Sequence, residues 1–123
     1  MAWASEVAAT QLTSITTEQF FSFGGSTNVT LNPGETAHIE VDVNFPTTPT
    51  DHCNVKVYGS LDAGTDYDDT PFIQFQIDKG TDPNQASFLV SGVYSFRVGV
   101  SRSGSTDTIT SADSRHRKDG VVV

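Results

Sequence analysis

The sequence has one cysteine, one methionine and one tryptophan in 123 residues. A single thiol, Cys53, cannot close an internal disulfide, so the fold must rest on its core alone, and the compartment is not legible from cysteine usage. No segment approaches the roughly 18 to 20 apolar residues of a membrane-spanning helix. Residues 1–10 carry no basic side chain and include Glu6, so they do not read as a signal peptide, and synthesis in the cytoplasm is expected. The builders of amphipathic helices are scarce, with four Leu, three Lys and four Glu. Phosphate loops, dinucleotide fingerprints and zinc-type Cys/His spacings are missing as well.

Basic charge is also short, and unevenly placed. Up to Phe96 there are two basic residues, Lys56 and Lys79, against twelve acidic ones; from Arg97 onward five basic residues face three acidic ones. The net charge is −8. An acidic body of this kind repels nucleic acid and anionic lipid, so neither is expected as a partner. The basic end (Arg97, Arg115, Arg117, Lys118) fits an acidic patch on a neighbouring subunit, or simply a solvated surface.

What is plentiful is Thr, Ser, Val, Phe and Gly, in short alternating runs. Ala37, Ile39, Val41, Val43 and Phe45 alternate with His38, Glu40, Asp42 and Asn44. Cys53, Val55, Val57, Gly59 and Leu61 alternate with Asn54, Lys56, Tyr58 and Ser60. Ile73, Phe75 and Ile77 follow, then Ala86, Phe88 and Val90. The clearest run is Tyr94, Phe96, Val98 and Val100 against Ser95, Arg97, Gly99 and Ser101. A period of two over such lengths predicts half-buried strands. The turn Asn32-Pro33-Gly34-Glu35 and other Gly and Pro signals separate them. Residues 101–105 read as a hairpin loop leading to a partner strand over 106–112. The expected architecture is all-β: one antiparallel sandwich of about seven or eight strands over residues 10–118. A short N-terminal arm over 1–9 precedes it and a tail over 119–123 follows it. In the arm, Trp3 and Val7 are candidate anchors for a partner, because Trp is over-represented at interface hot spots.

Residues 91–100, with Tyr94 before an alternating apolar-Arg-Val run, resemble the sixth strand of fibronectin type III and other immunoglobulin-like domains. That resemblance implies an immunoglobulin-like sandwich with Tyr94 in a tyrosine corner. The whole chain, short, acidic, rich in Thr, Ser and Gly and all-β, resembles small virion proteins of tailed bacteriophages, above all capsid decoration (cement) proteins. The resemblance implies a non-enzymatic structural protein, a homo-oligomer on the capsid surface that braces the major capsid protein lattice or contacts other virion proteins. A head–tail connector or tail-associated protein has the same profile.

Candidate chemistry is thin. Asp51-His52-Cys53 looks like a triad only on paper, since neighbours on a strand point to opposite faces. His38 and Glu40 share one strand face, a local pair for a metal. Asp62, Asp66, Asp68 and Asp69 offer oxygens to calcium, but lack the Gly position and closing Glu of an EF-hand. Paired carboxylates for glycoside hydrolysis need a cleft that a sandwich of this size has little room for. No catalytic residue and no cofactor is therefore expected. Tyr58 and Tyr67 are candidates for a carbohydrate- or receptor-binding platform, the alternative to a structural role.

Overall fold

The computed structural model describes residues 4–80 and 84–120. Ten strands and no helix occur among them: β1 (Val7–Ala8), β2 (Leu12–Ile15), β3 (Gln19–Phe20), β4 (Val29–Thr30), β5 (Thr36–Asn44), β6 (Cys53–Ser60), β7 (Ile73–Ile77), β8 (Asn84–Ser91), β9 (Ser95–Arg102) and β10 (Ile109–Asp119). They form two five-stranded antiparallel sheets. The first runs β1–β10–β5–β8, with β2 also on β10; the second runs β3–β9–β6–β7, with β4 also on β9. Because β1 and β2 share one side of β10, and β3 and β4 one side of β9, the sandwich has eight strand positions, in line with the seven or eight expected.

The alternating runs form the core as their period requires. Ala37, Ile39, Val41 and Val43 of β5, Cys53, Val55 and Val57 of β6, and Phe96, Val98 and Val100 of β9 are all fully buried. They join Phe21, Phe23, Ile15 and Ile109 in one cluster between the sheets. Cys53 is a packed hydrophobe whose thiol burial pushes up to about 12, far from thiolate chemistry at neutral pH.

The connectivity departs from the immunoglobulin-like order. In that order the last two strands pair in one sheet; here β9 lies in the second sheet and β10 in the first. The expected hairpin at 101–105 is instead a crossing between sheets, held by a reciprocal clamp. The Asp51 carboxylate accepts the Thr106 and Asp107 N–H groups at 3.1 and 2.9 Å, and the Asp107 carboxylate accepts the Asp51 N–H at 2.9 Å. Ser103 N–H bonds the His52 carbonyl at 2.9 Å, and Arg102 donates to the Asp107 carbonyl at 2.6 Å. Asp51 is 5% exposed. Asp51→Ala strands two loop N–H donors and should lower stability by about 1–3 kcal/mol in urea unfolding; an unchanged midpoint would show that the clamp does not hold the crossing.

Tyr94 also departs from expectation. It is 48% exposed rather than on the core face with Phe96. Gly92, at φ 75°, starts a turn, and the Tyr94 carbonyl accepts the Leu31 N–H at 2.9 Å. The ring lines an end groove of about 500 Å³ with Leu31, Pro33 and Val93, not a tyrosine corner. Leu61, expected on the inner face of its strand, is 90% exposed one residue past the end of β6.

Candidate functional site: strand edges and the β1/β10 face

The two long sides of the sandwich differ. On one side, β1 and β2 edge the first sheet and β3 and β4 the second, all four of them short. That edge is broken. Val7 pairs His116 and Ala8 pairs Arg115, while Leu12 pairs Ala112, so residues 9–11 face only residues 113 and 114, one residue too many. Ser14 sits at φ 51°. A bulged, interrupted edge resists pairing with another chain.

On the other side lie β7, Ile-Gln-Phe-Gln-Ile, and β8, Asn-Gln-Ala-Ser-Phe-Leu-Val-Ser. Neither has a charge or a proline, in a chain whose net charge is −8. β8 pairs regularly with β5 from Asn84↔Val43 to Ser91↔Thr36 and, among the described residues, pairs with no strand on its other side. Phe75 and Phe88 meet edge to face at 5.2 Å and close the gap between the sheets while half-buried. Leu89, 60% exposed, points outward. Among the described residues neither strand carries a charge or proline, and β8 pairs without a bulge, the devices that commonly guard an edge. These strands were legible in the sequence as alternating runs; their edge position was not.

The residues picked out from the sequence divide into groups. Trp3 lies outside the described residues. Val7, Arg115 and Arg117 come together on the β1/β10 flank. Val7 is 37% exposed, and Arg115 bonds Glu40 at 2.9 Å and lies 3.5 Å from Glu6. Glu6, His38, Glu40, Arg115, His116 and Arg117 line a shallow groove of about 260 Å³ there. Lys118 turns inward and donates to the Thr30 carbonyl at 2.7 Å, tying the first sheet to the second. Arg97 stands apart, on the outer face of the second sheet. Its guanidinium lies 3.8 Å from the Phe20 ring centre and 4.1 Å from that of Tyr67, stacked between them as a cation on aromatic faces. There it holds the 62–71 loop against the sheet rather than facing a partner.

That stack also occupies the tyrosines. Tyr67 donates to Asn28 at 3.0 Å, and Tyr58, 8% exposed, donates to the Glu18 carboxylate at 3.0 and 3.2 Å. Tyr58 is buried and Tyr67 has Arg97 over its ring, so the two do not form an exposed aromatic platform. Gly99 makes room for the arrangement, since a Cβ there would stand 2.8 Å from Phe20. Gly99→Val should displace Phe20 and cost about 1–3 kcal/mol, with proteolysis of the 62–71 loop accelerating; equal proteolysis would show that the stack does not hold the loop.

In that loop the Asp62 carboxylate accepts the Ser60 hydroxyl at 2.8 Å and the Asp66 N–H at 2.9 Å, and these bonds hold its pKa low. Among the described residues no three His, Cys, Asp or Glu side chains converge as metal ligands would. Asp51, His52 and Cys53 diverge: Asp51 serves the loop clamp, His52 accepts the Lys79 N–H at 2.9 Å, and Cys53 faces the core.

Eight strand positions in two four-position sheets, joined mostly by crossings from one sheet to the other, make this a jelly-roll type of β-sandwich. No family model and no curated protein matches the chain. Among solved structures, it is similar to a chain in a structure described as "Bacillus endospore appendages form a novel family of disulfide-linked pili". The TM-score is 0.56 at 13% identity, covering 99% of this chain and 93% of that one. The likeness is one of fold.

Proposed function

We propose that the protein is a non-enzymatic structural subunit that associates with copies of itself, its sheets continuing from copy to copy along the β7/β8 side. The observation that carries this reading is the pair of regular, uncharged edges on one side of an otherwise acidic molecule. Pairing across such an edge adds main-chain hydrogen bonds, with Leu89 and the Phe75/Phe88 pair supplying apolar contact. A fold shared with an appendage described as pili fits an extended assembly of this kind. The pili of that structure are disulfide-linked; here the lone, buried Cys53 leaves cohesion to strand pairing and surface contact.

The setting of the assembly is an extracellular appendage or a virion. Jelly rolls also build viral capsids, and a decoration protein on a capsid lattice is the second reading. Sedimentation velocity of the purified chain at pH 7.5 over a hundredfold concentration range separates the two. Self-association predicts concentration-dependent oligomers or polymers. A monomer at every concentration that binds only a preformed capsid lattice would overturn self-association in favour of decoration.

A further inference from the structure

Residues 4–9 are held to β10 by little. Ala4 N–H bonds the Lys118 carbonyl at 2.7 Å, Ala9 N–H bonds the Ser114 carbonyl at 2.8 Å, and β1 contributes a two-residue ladder between them. Residues 4–8 are all exposed, and the one ion pair, Glu6 with Arg115, is solvent-facing at 3.5 Å. A segment with so few buried contacts opens at a small fraction of the global unfolding free energy.

Beneath it lies a side chain suited to control that opening. His116, paired with Val7, points inward and is 5% exposed. Its ring stands edge-on to Phe23 at 4.7 Å, and its Nδ1 has no hydrogen-bond partner. Phe23 in turn bridges Ala9, so the arm, the imidazole and the phenyl ring form one stack at the flank of the sandwich. The charged groups around it favour the neutral ring. Lys118 shares its face of β10, and burial and Lys118 together lower its pKa. Arg115 and Arg117 flank it in sequence on the outer face, and Glu6 of the arm and Glu40 and His38 of β5 line with them the shallow groove to which His116 also contributes. Ile39, its β5 partner in register, carries no charge.

We propose that β1 is a displaceable cover strand: it leaves β10 when His116 takes up a proton, and the vacated β10 edge accepts β8 of a second copy. The inference rests on the reading that copies associate through strand edges, and it names the acceptor edge and its control. Opening lets the imidazolium reach water, so the open state has the higher proton affinity and acid favours it. With an ordinary imidazole value of 6.5 in the open state, the gain at pH 5.0 is at most about 30-fold. With β2 still paired to residues 109–112, residues 113–119 of β10 become free, and part of the uncharged β8 there forms a longer ladder than the two-residue one it replaces.

The test uses the full chain at pH 7.5 and 5.0, with hydrogen exchange and sedimentation read on the same samples. Expected at pH 5.0 is a loss of protection of up to about 30-fold in residues 4–9 and 114–118 with β5 and β6 unchanged, accompanied by increased association. His116→Gln should remove the pH dependence of both. A cross-strand disulfide made by Ala8→Cys with Arg115→Cys, Cys53 being buried and unreactive, should suppress opening and the acid-induced association. Uniform loss of protection across both sheets, meaning acid unfolding, would overturn the proposal. So would opening without association, or association undiminished in the locked variant; this last leaves self-association through other edges standing.

Discussion

Replacing Phe96 by alanine should remove about 3–5 kcal/mol of folding free energy. The ring is fully buried at the centre of β9. Its cross-strand neighbours are Val29 of β4 and Gly59 of β6. Gly59 has no side chain to swing into the space, so the hole left by the ring would stay open, which is the condition for the larger cavity penalties. Against the roughly 5–15 kcal/mol of an ordinary domain, the loss takes about a fifth or more of the total. Urea unfolding followed by fluorescence or circular dichroism measures it. A loss below about 1 kcal/mol would mean that the ring does not lie in the core.

Charging the β8 edge should leave the fold intact and weaken association about 10- to 100-fold. Ser87 and Leu89 are exposed on the outward face of β8, opposite Glu40 and His38 of β5. Lysine at both gives the β8 edge the guard that natural edge strands carry. Neither side chain is in the core, so Ser87→Lys with Leu89→Lys should unfold within about 0.5 kcal/mol of the parent. The parallel substitutions Thr13→Lys and Gln11→Lys on the bulged β1/β2 flank should change association less than threefold at pH 7.5. Equal effects at the two edges would remove the distinction between them.

The buried imidazole makes a separate statement about stability. His116 resists protonation in the folded protein because burial, then Lys118, disfavour its charge. The unfolded chain takes the proton near pH 6.5, so proton uptake favours unfolding. Stability is therefore independent of this group above about pH 7.5 and declines as pH falls below about 6.5, by at most about 1.4 kcal/mol per unit. The urea midpoint at pH 5.5 should sit below that at pH 7.5 in the parent, and His116→Gln should flatten that part of the profile. A profile unchanged by the substitution would place the imidazole in water.

Much of this architecture was legible in the sequence, and the boundary is physical. The alternation of β5, from Ala37 to Phe45, is a local property of a pleated strand, and each of those residues is buried as its period requires. The partner of a strand is not local. The chain after β9 crosses to the other sheet because Asp51 captures the Thr106 and Asp107 amides, residues 55 and 56 positions away. Tyr94 and Leu61 keep the parity of their strands but lie past the last ladder pair, Ser60↔Ser95, where alternation no longer fixes direction. The sequence suggested a partner strand over 106–112, yet residues 109–119 form one strand, the longest among the described residues. Their alternation is of Arg with Ser and His rather than with aliphatic residues, a pattern that hydropathy does not mark as a buried face.

Electron cryo-microscopy of the assembled protein tests the central claim most directly. The account predicts that β8 lies about 4.8 Å from a strand of a neighbouring copy, with main-chain hydrogen bonds between them and Leu89 against the neighbour. An assembly in which the β8 edge faces solvent on every copy would contradict it.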